Sequence, residues 1–583
     1  MYDLVVRGGT VIDGSGSEGV LSDVAINRDR IVAVGLSLGA GRHEIDARGK
    51  LVTPGFVDIH THYDAQVSWD PDMTPSSWHG VTTVVMGNCG VGFAPCKAEA
   101  RTQLIGMMEG VEDIPGAAMT DGITWAWESF PEYMNAVEKV PRVLDVACQV
   151  THGALRTYVM GARAVADEPA TAEDRAQMGA LTLDALKAGA LGFSTSRTML
   201  HRAIDGTPVP GTTAATEELF AIGDALKEAG HGVFQLAPEH SNVPAEMKWM
   251  RELVRRTGRR VSFNFNQTDW APEIWKEVLT LLEESHAAGE PVHAQVAGRA
   301  IGVMMSFRLT AHPFVAHATF REVFAKPWAE ASVLLRDPEI REKILAEQPT
   351  FALNPFEQYV TRAFDKMFVE SAGAGEGERV DYEPHFEDSI AARAKAAGVD
   401  PLAMAYDALC ARDGQGFIYF PLLNYCYGDL NFTYTVQSHP TTRMGLSDAG
   451  AHCGAVCDGG MPTFMLTHWT RDRTRGAKFS LPWIIHRQTH ETAEFYGLND
   501  RGLLRAGYKA DVNVIDMEAL RALDAEVAFD FPAGARRLVQ RAKGYVATIV
   551  SGVVTVRHDE LTGERPGKLV RGPQGLTAAQ AAP

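Results

Sequence analysis

The sequence predicts an α/β fold: a parallel (β/α)8 TIM-type barrel with a small β domain built from both chain termini. Three observations support this prediction. Eight short apolar runs in the middle of the chain alternate with helical stretches, which is the pattern of a parallel sheet. The two ends of the chain share a different texture of short strands and Gly-containing turns. The length of 583 residues suits one large domain with an accessory one.

The two terminal segments, 1–55 and 503–583, are predicted to form one β domain. In both segments β-branched residues alternate with polar ones and the runs break at Gly or Asp-Gly, as in YDLVVRGGTVIDG and GYVATIVSGVVTVRHD. Matching texture at the two ends indicates strands that belong together.

The barrel is predicted over residues 56–502. Its eight strands are expected in GFVDIHTH, VTTVVMGN, LDVACQVTHG, ALGFSTSR, HGVFQLAPE, RVSFNFNQT, PVHAQVAG and RMGLSDAG. Two amphipathic helices that end at Gly are expected in ATEELFAIGDALKEAG and AEMKWMRELVRRTG. The stretch 317–440 is too long for one crossover, so an insertion or mobile loop is expected around 366–400.

Composition limits the kinds of partner. The net charge of −18 argues against nucleic acid and anionic membranes and leaves a small-molecule substrate. The first residues, MYDLVVRGGTVIDGSG, do not resemble a signal peptide, and no apolar stretch is long enough to span a bilayer. Seven scattered cysteines suit a reducing compartment. We therefore expect a cytoplasmic protein, and we also expect a homo-oligomer.

Four side chains with metal-ligand chemistry follow three of the predicted strands. His60 and His62 are alternate residues at the end of strand one, so they point to the same side. Cys89 follows strand two in GNCGVG, and Asp448 follows strand eight in GLSDAG. A bare pair of histidines is as often a surface feature as a ligand pair. Catalytic groups of such barrels lie at the C-terminal strand ends, and all four side chains bind Zn²⁺ well, so the pattern favours a metal site.

Longer motifs resemble those of the amidohydrolase superfamily. LVTPGFVDIHTHYD resembles its signature, and four further motifs narrow the resemblance to the N-acyl-D-amino-acid deacylase (D-aminoacylase) branch: GVTTVVMGNCGVGFAP, AGALGFSTS, GLSDAGAH and RGLLRAGYKADVNVID. The resemblance covers almost the whole chain. It implies a (β/α)8 barrel, a β-sandwich from both termini, and a zinc site that hydrolyses the amide of N-acylated D-amino acids. It also implies that Cys89 is a metal ligand and that Asp448 is the general base.

The chain departs from this branch at strands five and six, where the family supplies one histidine each. Gln235 stands in strand five, and strand six carries Asn264, Asn266 and Gln267 without a histidine. Amide side chains are weak zinc ligands. We therefore expect one Zn²⁺, or another divalent ion, per chain and an empty or weakly filled second position. His240 is an alternative ligand, shifted from the expected register.

The expected reaction is attack of a metal-activated water on the amide, with Asp448 taking the proton and returning it to the leaving amine. A guanidinium can hold the carboxylate of an N-acyl amino acid through two hydrogen bonds. The residues expected to bind substrate are Arg197, Gln235, Asn266, His293, Arg299, His152 and His452. The alternative for each arginine is a surface ion pair, for His293 a hydrogen-bonded barrel histidine, and for His152 and His452 a packing role in a loop.

Two other functions stay open from the sequence. The first is hydrolysis of another amide, such as a cyclic amide, a dipeptide-like compound or a xenobiotic amide, because the same chemistry serves all of them. The second is a metal-poor, non-hydrolytic binding protein, which the missing histidines would explain. Metal analysis would distinguish the non-hydrolytic binding protein from the hydrolases. A screen of acylated amino acids would distinguish hydrolysis of N-acyl amino acids from hydrolysis of other amides.

Overall fold

The computed structural model describes residues 1–351, 353, 355–370 and 380–576. The β-strands of this part are β1 (Tyr2–Val11), β2 (Val20–Asn27), β3 (Arg30–Gly35), β4 (Gly41–Asp46), β5 (Leu51–Pro54), β6 (Phe56–Asp58), β7 (Val81–Met86), β8 (Asp145–Cys148), β9 (Val150–Thr151), β10 (Gly192–Ser196), β11 (Val233–Ala237), β12 (Arg260–Asn264), β13 (Val292–Val296), β14 (Ile301–Met305), β15 (Phe368–Val369), β16 (Ile418–Leu423), β17 (Thr442–Met444), β18 (Val512–Ile515), β19 (Arg521–Ala528), β20 (Arg537–Lys543), β21 (Tyr545–Val550), β22 (Val553–Arg557), β23 (Glu560–Leu561) and β24 (Leu569–Val570).

The α-helices lie mostly between the central strands. They are α1 (Arg101–Glu112), α2 (Gly116–Gly122), α3 (Phe130–Glu138), α4 (His152–Met160), α5 (Ala162–Val165), α6 (Ala172–Ala188), α7 (Thr216–Ala229), α8 (Val243–Thr257), α9 (Ile274–Ala287), α10 (Ala318–Phe324), α11 (Trp328–Leu334), α12 (Pro338–Ala346), α13 (Pro355–Arg362), α14 (Ile390–Ala397), α15 (Pro401–Gly414), α16 (Asn431–Ser438), α17 (Met461–Thr467), α18 (Leu481–Arg487) and α19 (His490–Phe495). In the described part of the chain, none of these helices has the length and apolar character needed to cross a membrane.

The central strands form two parallel sheets. One sheet has the order β24-β8-β7-β6 and the other β17-β13-β12-β11-β10-β9. A parallel bridge between Thr61 and Ala449 brings the ends of β6 and β17 together. Each of the eight predicted runs contains a strand of these sheets, so the prediction of their positions is confirmed. Since the strands are parallel, their carboxyl ends face one side.

Helices α7 and α8 confirm the two predicted amphipathic helices. Each buries its apolar side and ends at a glycine with a left-handed backbone, Gly230 at φ 77° and Gly258 at φ 66°. Only glycine adopts this conformation without strain, which is why these residues end the helices. The chain then turns directly into the next strand, β11 or β12.

Helix α19 packs against the parallel strands. Phe495 and the following Tyr496 belong to an apolar cluster with residues of β6, β7, β8 and β11. The Tyr496 hydroxyl also donates to Gln149 Oε1 at 3.3 Å. Gln149 in turn donates to Asn88, directly before Cys89, at 2.9 Å. The helix therefore supports one of the loops at the strand ends.

Both ends of the chain contribute to one nine-stranded sheet. Its order is β23-β22-β21-β18-β5-β1-β2-β3, and β4 pairs with β1. The seam between the two chain ends is the antiparallel pairing of β18 with β5, in which Val512 faces Pro54. Strands from the first 55 residues and from the C-terminal region thus pair with each other.

An additional unit lies between β13 and β17. It contains a three-stranded sheet, β14-β16-β15, and helices α10–α15, with an apolar cluster of its own. The loop expected around 366–400 falls partly in this unit, and there β15 and α14 are regular. Residues 371–379 of that expected loop lie outside the described residues.

Candidate metal centre

Three of the four predicted ligands converge at the carboxyl ends of β6 and β7. One potential ligand atom from each of His60, His62 and Cys89 lies within 4.8 Å of the others, and all three side chains are buried. Cys89 Sγ is 3.3 Å from His60 Nε2. The structure therefore brings together the side chains that the sequence singled out at the ends of strands one and two.

Asp448 approaches the same group of atoms from the end of β17. Its Oδ1 is 3.2 Å from His60 Nε2 and 3.5 Å from His62 Nε2. Asp448 Oδ1 therefore lies beside both imidazoles of the three-residue cluster. This donor set suits Zn²⁺ and is compatible with other divalent ions of similar preference.

Each histidine presents Nε2 to this cluster because Nδ1 is engaged elsewhere. His60 Nδ1 lies 2.5 Å from Gln295 Oε1, and His62 Nδ1 lies 3.1 Å from Glu112 Oε1. The amide oxygen of Gln295 can only accept, so His60 Nδ1 carries the proton, and the Glu112 carboxylate favours a proton on His62 Nδ1 through an ion-pair contact without an aligned hydrogen bond. The Nε2 lone pairs are thus left for a cation.

The loops that carry Cys89 and Asp448 have unusual backbone conformations. Cys89 has φ 54°, Asp448 has φ 48° and His452 has φ 49°. Left-handed conformations at residues other than glycine cost free energy and cluster at functional sites. Gly90 comes directly after Cys89 and packs against β10. A Cβ added at Gly90 would lie 2.6 Å from the Ser196 backbone nitrogen. These loops are therefore fixed by packing.

Asp58 joins the ends of β6 and β17. Its carboxylate accepts hydrogen bonds from the His60 backbone N–H at 3.1 Å and from the Ser447 hydroxyl. Burial raises the pKa of Asp58 to about 6, although both hydrogen bonds oppose this shift. The contact fixes the distance between His60 and Asp448 through the backbone of both residues.

The electrostatics of the cluster favour ionised acids. Burial raises the pKa of the Cys89 thiol and of the Asp448 carboxyl, but the neighbouring imidazoles lower both, and the net pKa is below the ordinary value in each case. Burial lowers the pKa of His62, but Glu112, Asp448 and Cys89 raise it well above the ordinary value. These shifts favour the thiolate and the carboxylate, which are the forms that bind a metal.

Amide side chains occupy the positions next to Cys89, as the sequence predicts for Gln235. Gln235 Oε1 accepts from the Cys89 backbone N–H at 2.9 Å, and its Nε2 donates to Asn264 Oδ1 at 2.8 Å. Asn264 Nδ2 donates to Cys89 Sγ at 3.3 Å. Asn266 instead accepts from Asn424 at 3.0 Å. Asn264, rather than Asn266, is therefore the residue of strand six that touches the cluster.

The two arginines expected to hold a carboxylate are both engaged within the protein. Arg299 pairs with buried Asp458 at 2.9 Å and lies over the ring of Tyr382 at 3.8 Å. Arg197 is 3.3 Å from a Glu246 oxygen and donates to the Ala214 carbonyl at 2.7 Å. Each guanidinium lies next to a carboxylate of a neighbouring element, and a role in holding a substrate carboxylate stays a prediction for both arginines.

Two of the expected substrate-binding histidines are also structural. His152 uses both ring nitrogens, one with Thr195 Oγ1 and one with Glu218 Oε1, each at 2.8 Å. His293 lies near the start of β13, where it packs edge-on against Phe495 at 5.0 Å between ring centroids. The structure places His293 at the opposite end of the strand from the clustered ligands, and its role in substrate binding stays a prediction.

The surroundings of His452 and His240 differ from those of His152 and His293. His452 is 30% exposed and its Nε2 is 3.5 Å from Glu112 Oε2, so it lies beside the ligands and is open to a substrate. His240 is buried, which lowers its pKa to about 4. In the described part of the chain, the group of atoms that could hold a metal does not include His240.

Sequence reasoning missed Glu112, Gln295 and His201. Gln295 could have been found, because it shares a strand face with His293 and is nearer the carboxyl end. Glu112 ends a helix in the long connection after β7, and no motif marks it. His201 follows β10 and bonds Ser196 at 2.9 Å, and burial with the charges of His452, His240 and His62 lowers its pKa to about 3.

Comparisons with known proteins define the class. The model of the amidohydrolase family, Amidohydro_3, matches residues 43–556. The chain belongs to this amidohydrolase family. With the D-aminoacylase relatives described next, this makes it a hydrolase of linear amide bonds in the D-aminoacylase branch.

Three curated proteins show the similarity along the whole chain. A Mycobacterium tuberculosis protein without an assigned function is 28% identical over 97% of this chain and 93% of its own. The D-aminoacylase of Alcaligenes xylosoxydans xylosoxydans is 26% identical over 98% of this chain and 97% of its own. The N-acyl-D-aspartate deacylase of the same organism is 27% identical over 97% and 95%.

Solved structures agree on the fold. A crystal structure of D-aminoacylase superposes with a TM-score of 0.63 at 24% identity, covering 98% of this chain and 100% of its own. The N-acyl-D-glutamate deacylase from Bordetella bronchiseptica, solved with zinc and a phosphonate inhibitor, gives 0.64 at 22% identity with the same coverage. The chain therefore has an α/β amidohydrolase fold.

Proposed function

We propose that the protein is a metal-dependent hydrolase that cleaves the amide bond of N-acylated amino acids, with the D-amino-acid derivatives as its substrates. The observation that carries this proposal is the clustering of ligand atoms of His60, His62 and Cys89 within 4.8 Å of one another, with Asp448 Oδ1 at 3.2 Å and 3.5 Å from the two imidazoles. The curated D-aminoacylase and N-acyl-D-aspartate deacylase, similar along nearly the whole chain, support the substrate class.

The four converging side chains would hold one Zn²⁺ per chain. We place no second ion in the proposal, because amides stand next to Cys89 where the family uses histidines. The architecture that belongs to this proposal is a closed (β/α)8 barrel over residues 56–502. The bridge between Thr61 and Ala449 supports closure, since it links the first strand position to the eighth.

The chain's own residues prepare the reaction. Gln295 and Glu112 hold the two imidazoles in the orientation that exposes Nε2. A bound cation would acidify water and polarise the amide carbonyl. Asp448 takes the proton of the attacking water and delivers it to the leaving amine nitrogen. His452, exposed beside Glu112, is placed to contact the substrate.

Metal analysis together with a substrate screen tests the function. Protein purified without chelator should contain close to one divalent ion per chain. A panel of N-acyl-D- and N-acyl-L-amino acids, followed by detection of the free amine, should show turnover of D derivatives that chelation abolishes. Protein that stays metal-free after supplementation would instead favour a binding role. Turnover of cyclic or non-amino-acid amides alone would show that the substrate class differs from the one proposed.

A further inference from the structure

We propose that Glu112 is a positioning residue for the metal ligand His62. Its carboxylate is buried, with 1% exposure, and Oε1 lies 3.1 Å from His62 Nδ1. The other oxygen, Oε2, lies 3.5 Å from His452 Nε2. The proposal rests on the proposed function insofar as His62 binds the cation.

The two nitrogens of His62 have separate tasks. Nε2 faces the cluster, at 3.5 Å from Asp448 Oδ1. Nδ1 must therefore carry the proton when Nε2 binds a cation, and the Glu112 carboxylate 3.1 Å away favours this tautomer through its charge. The negative charge also makes the imidazole a stronger ligand, because it stabilises positive charge that the ring takes up from a cation.

His60 provides an internal comparison. Its Nδ1 is oriented in the same way, but by the neutral amide oxygen of Gln295 at 2.5 Å. One ligand thus has a charged acceptor behind it and the other an uncharged one. Exchanging Glu112 for glutamine would remove the charge and keep a side chain of nearly the same shape, which isolates the effect of the charge.

The position of Glu112 is fixed by the fold. It is the last residue of α1, and Asp113 immediately turns the chain with φ 51°. Asp113 is itself held by the Thr310 hydroxyl at 2.6 Å. Among the ion pairs of the described residues, Glu112 has the two histidines as its partners. Its charge therefore faces His62 and His452 rather than a lysine or an arginine.

Zinc affinity of the apoprotein, measured by competition with a chelating dye, tests the role. Glu112→Gln should weaken zinc binding about tenfold and Glu112→Leu about 100-fold, the range typical of lost partners behind a ligand. The matched control is Glu109→Gln, which removes the same charge from the same helix. Glu109 accepts from the Gly116 backbone and contacts no ligand, so zinc affinity should stay within twofold of wild type.

A cobalt-substituted protein adds a readout that a general loss of stability would not move. The visible absorption of Co²⁺ should shift in Glu112→Gln and stay unchanged in Glu109→Gln. Wild-type zinc affinity and an unchanged cobalt spectrum in both Glu112 variants would overturn the proposal. If the leucine variant does not fold, the glutamine variant decides. Absence of zinc binding by the wild-type protein would instead refute the proposed function itself.

Discussion

Replacing Arg299 by methionine distinguishes a buried ion pair from a substrate-binding residue. Methionine keeps much of the side-chain volume and removes the charge. Asp458, which is fully buried, would then lose the guanidinium that lies 2.9 Å away. The cation over the ring of Tyr382 and the hydrogen bond to the Cys457 carbonyl would be lost as well.

The cost follows from what is left behind. Breaking a buried ion pair by removing one partner costs about 3–5 kcal/mol, because the remaining charge has no partner. Burial already raises the pKa of Asp458 to about 6 against the opposing charge of Arg299. Without that charge the Asp458 carboxyl takes up a proton more readily, which limits the loss of folding stability. We therefore expect a destabilisation of about 3 kcal/mol, at the lower end of that range.

Urea unfolding and steady-state kinetics together provide the assay. Arg299→Met should lower the free energy of unfolding by this amount and leave KM for an N-acyl-D-amino acid within about twofold. Adding Asp458→Leu should recover most of the stability, because a buried pair can be replaced by apolar residues. Arg202→Met, at an exposed arginine, is the control and should cost less than about 0.5 kcal/mol. A KM raised tenfold with unchanged stability would show that Arg299 binds the substrate.

Three further predictions concern the site and the fold. Asp448→Asn should retain the metal and reduce kcat about 10²–10⁴-fold, since an amide cannot accept the proton; near-normal turnover would remove Asp448 as the base. Cys89 should resist alkylation in the zinc-loaded protein and react after chelation, whereas equal labelling of the folded protein would argue for a packing role. Burial lowers the pKa of His79 to about 4 from 6.5, so folding stability falls as pH drops through this interval. Between pH 7 and pH 5, urea unfolding should show a loss about 2 kcal/mol smaller in His79→Gln than in wild type, and an equal pH dependence would contradict this.

Much of the fold and the main ligands could be predicted because local patterns encode them. The alternation of apolar runs and helices located eight runs that each contain a strand of the two central sheets, and the period of two within a strand placed His60 and His62 together. Cys89 and Asp448 were accessible to sequence reasoning because each directly follows a strand whose end must lie at the same edge.

The rest could not be predicted, because it depends on contacts between distant elements. Glu112 reaches His62 from the end of a helix, and no periodicity specifies which way that end points. The ion pairs of Arg197 and Arg299 could not be predicted for a related reason. The sequence shows a guanidinium near a strand end but not the carboxylate of another element that pairs with it. His293 was misplaced because a strand's face can be read from its alternation more easily than the depth of a residue along it.

The seam between β5 and β18 has a consequence for biosynthesis. Pro54 and its partner Val512 are separated by about 460 residues. At about 5–20 residues per second, the ribosome needs roughly half a minute to a minute and a half to deliver the second strand. β5 can already pair with β1, but throughout that interval its other side is an open sheet edge on a nascent chain, which is a template for association with other chains. This edge must therefore stay open, or be covered by chaperones, until β18 has been translated.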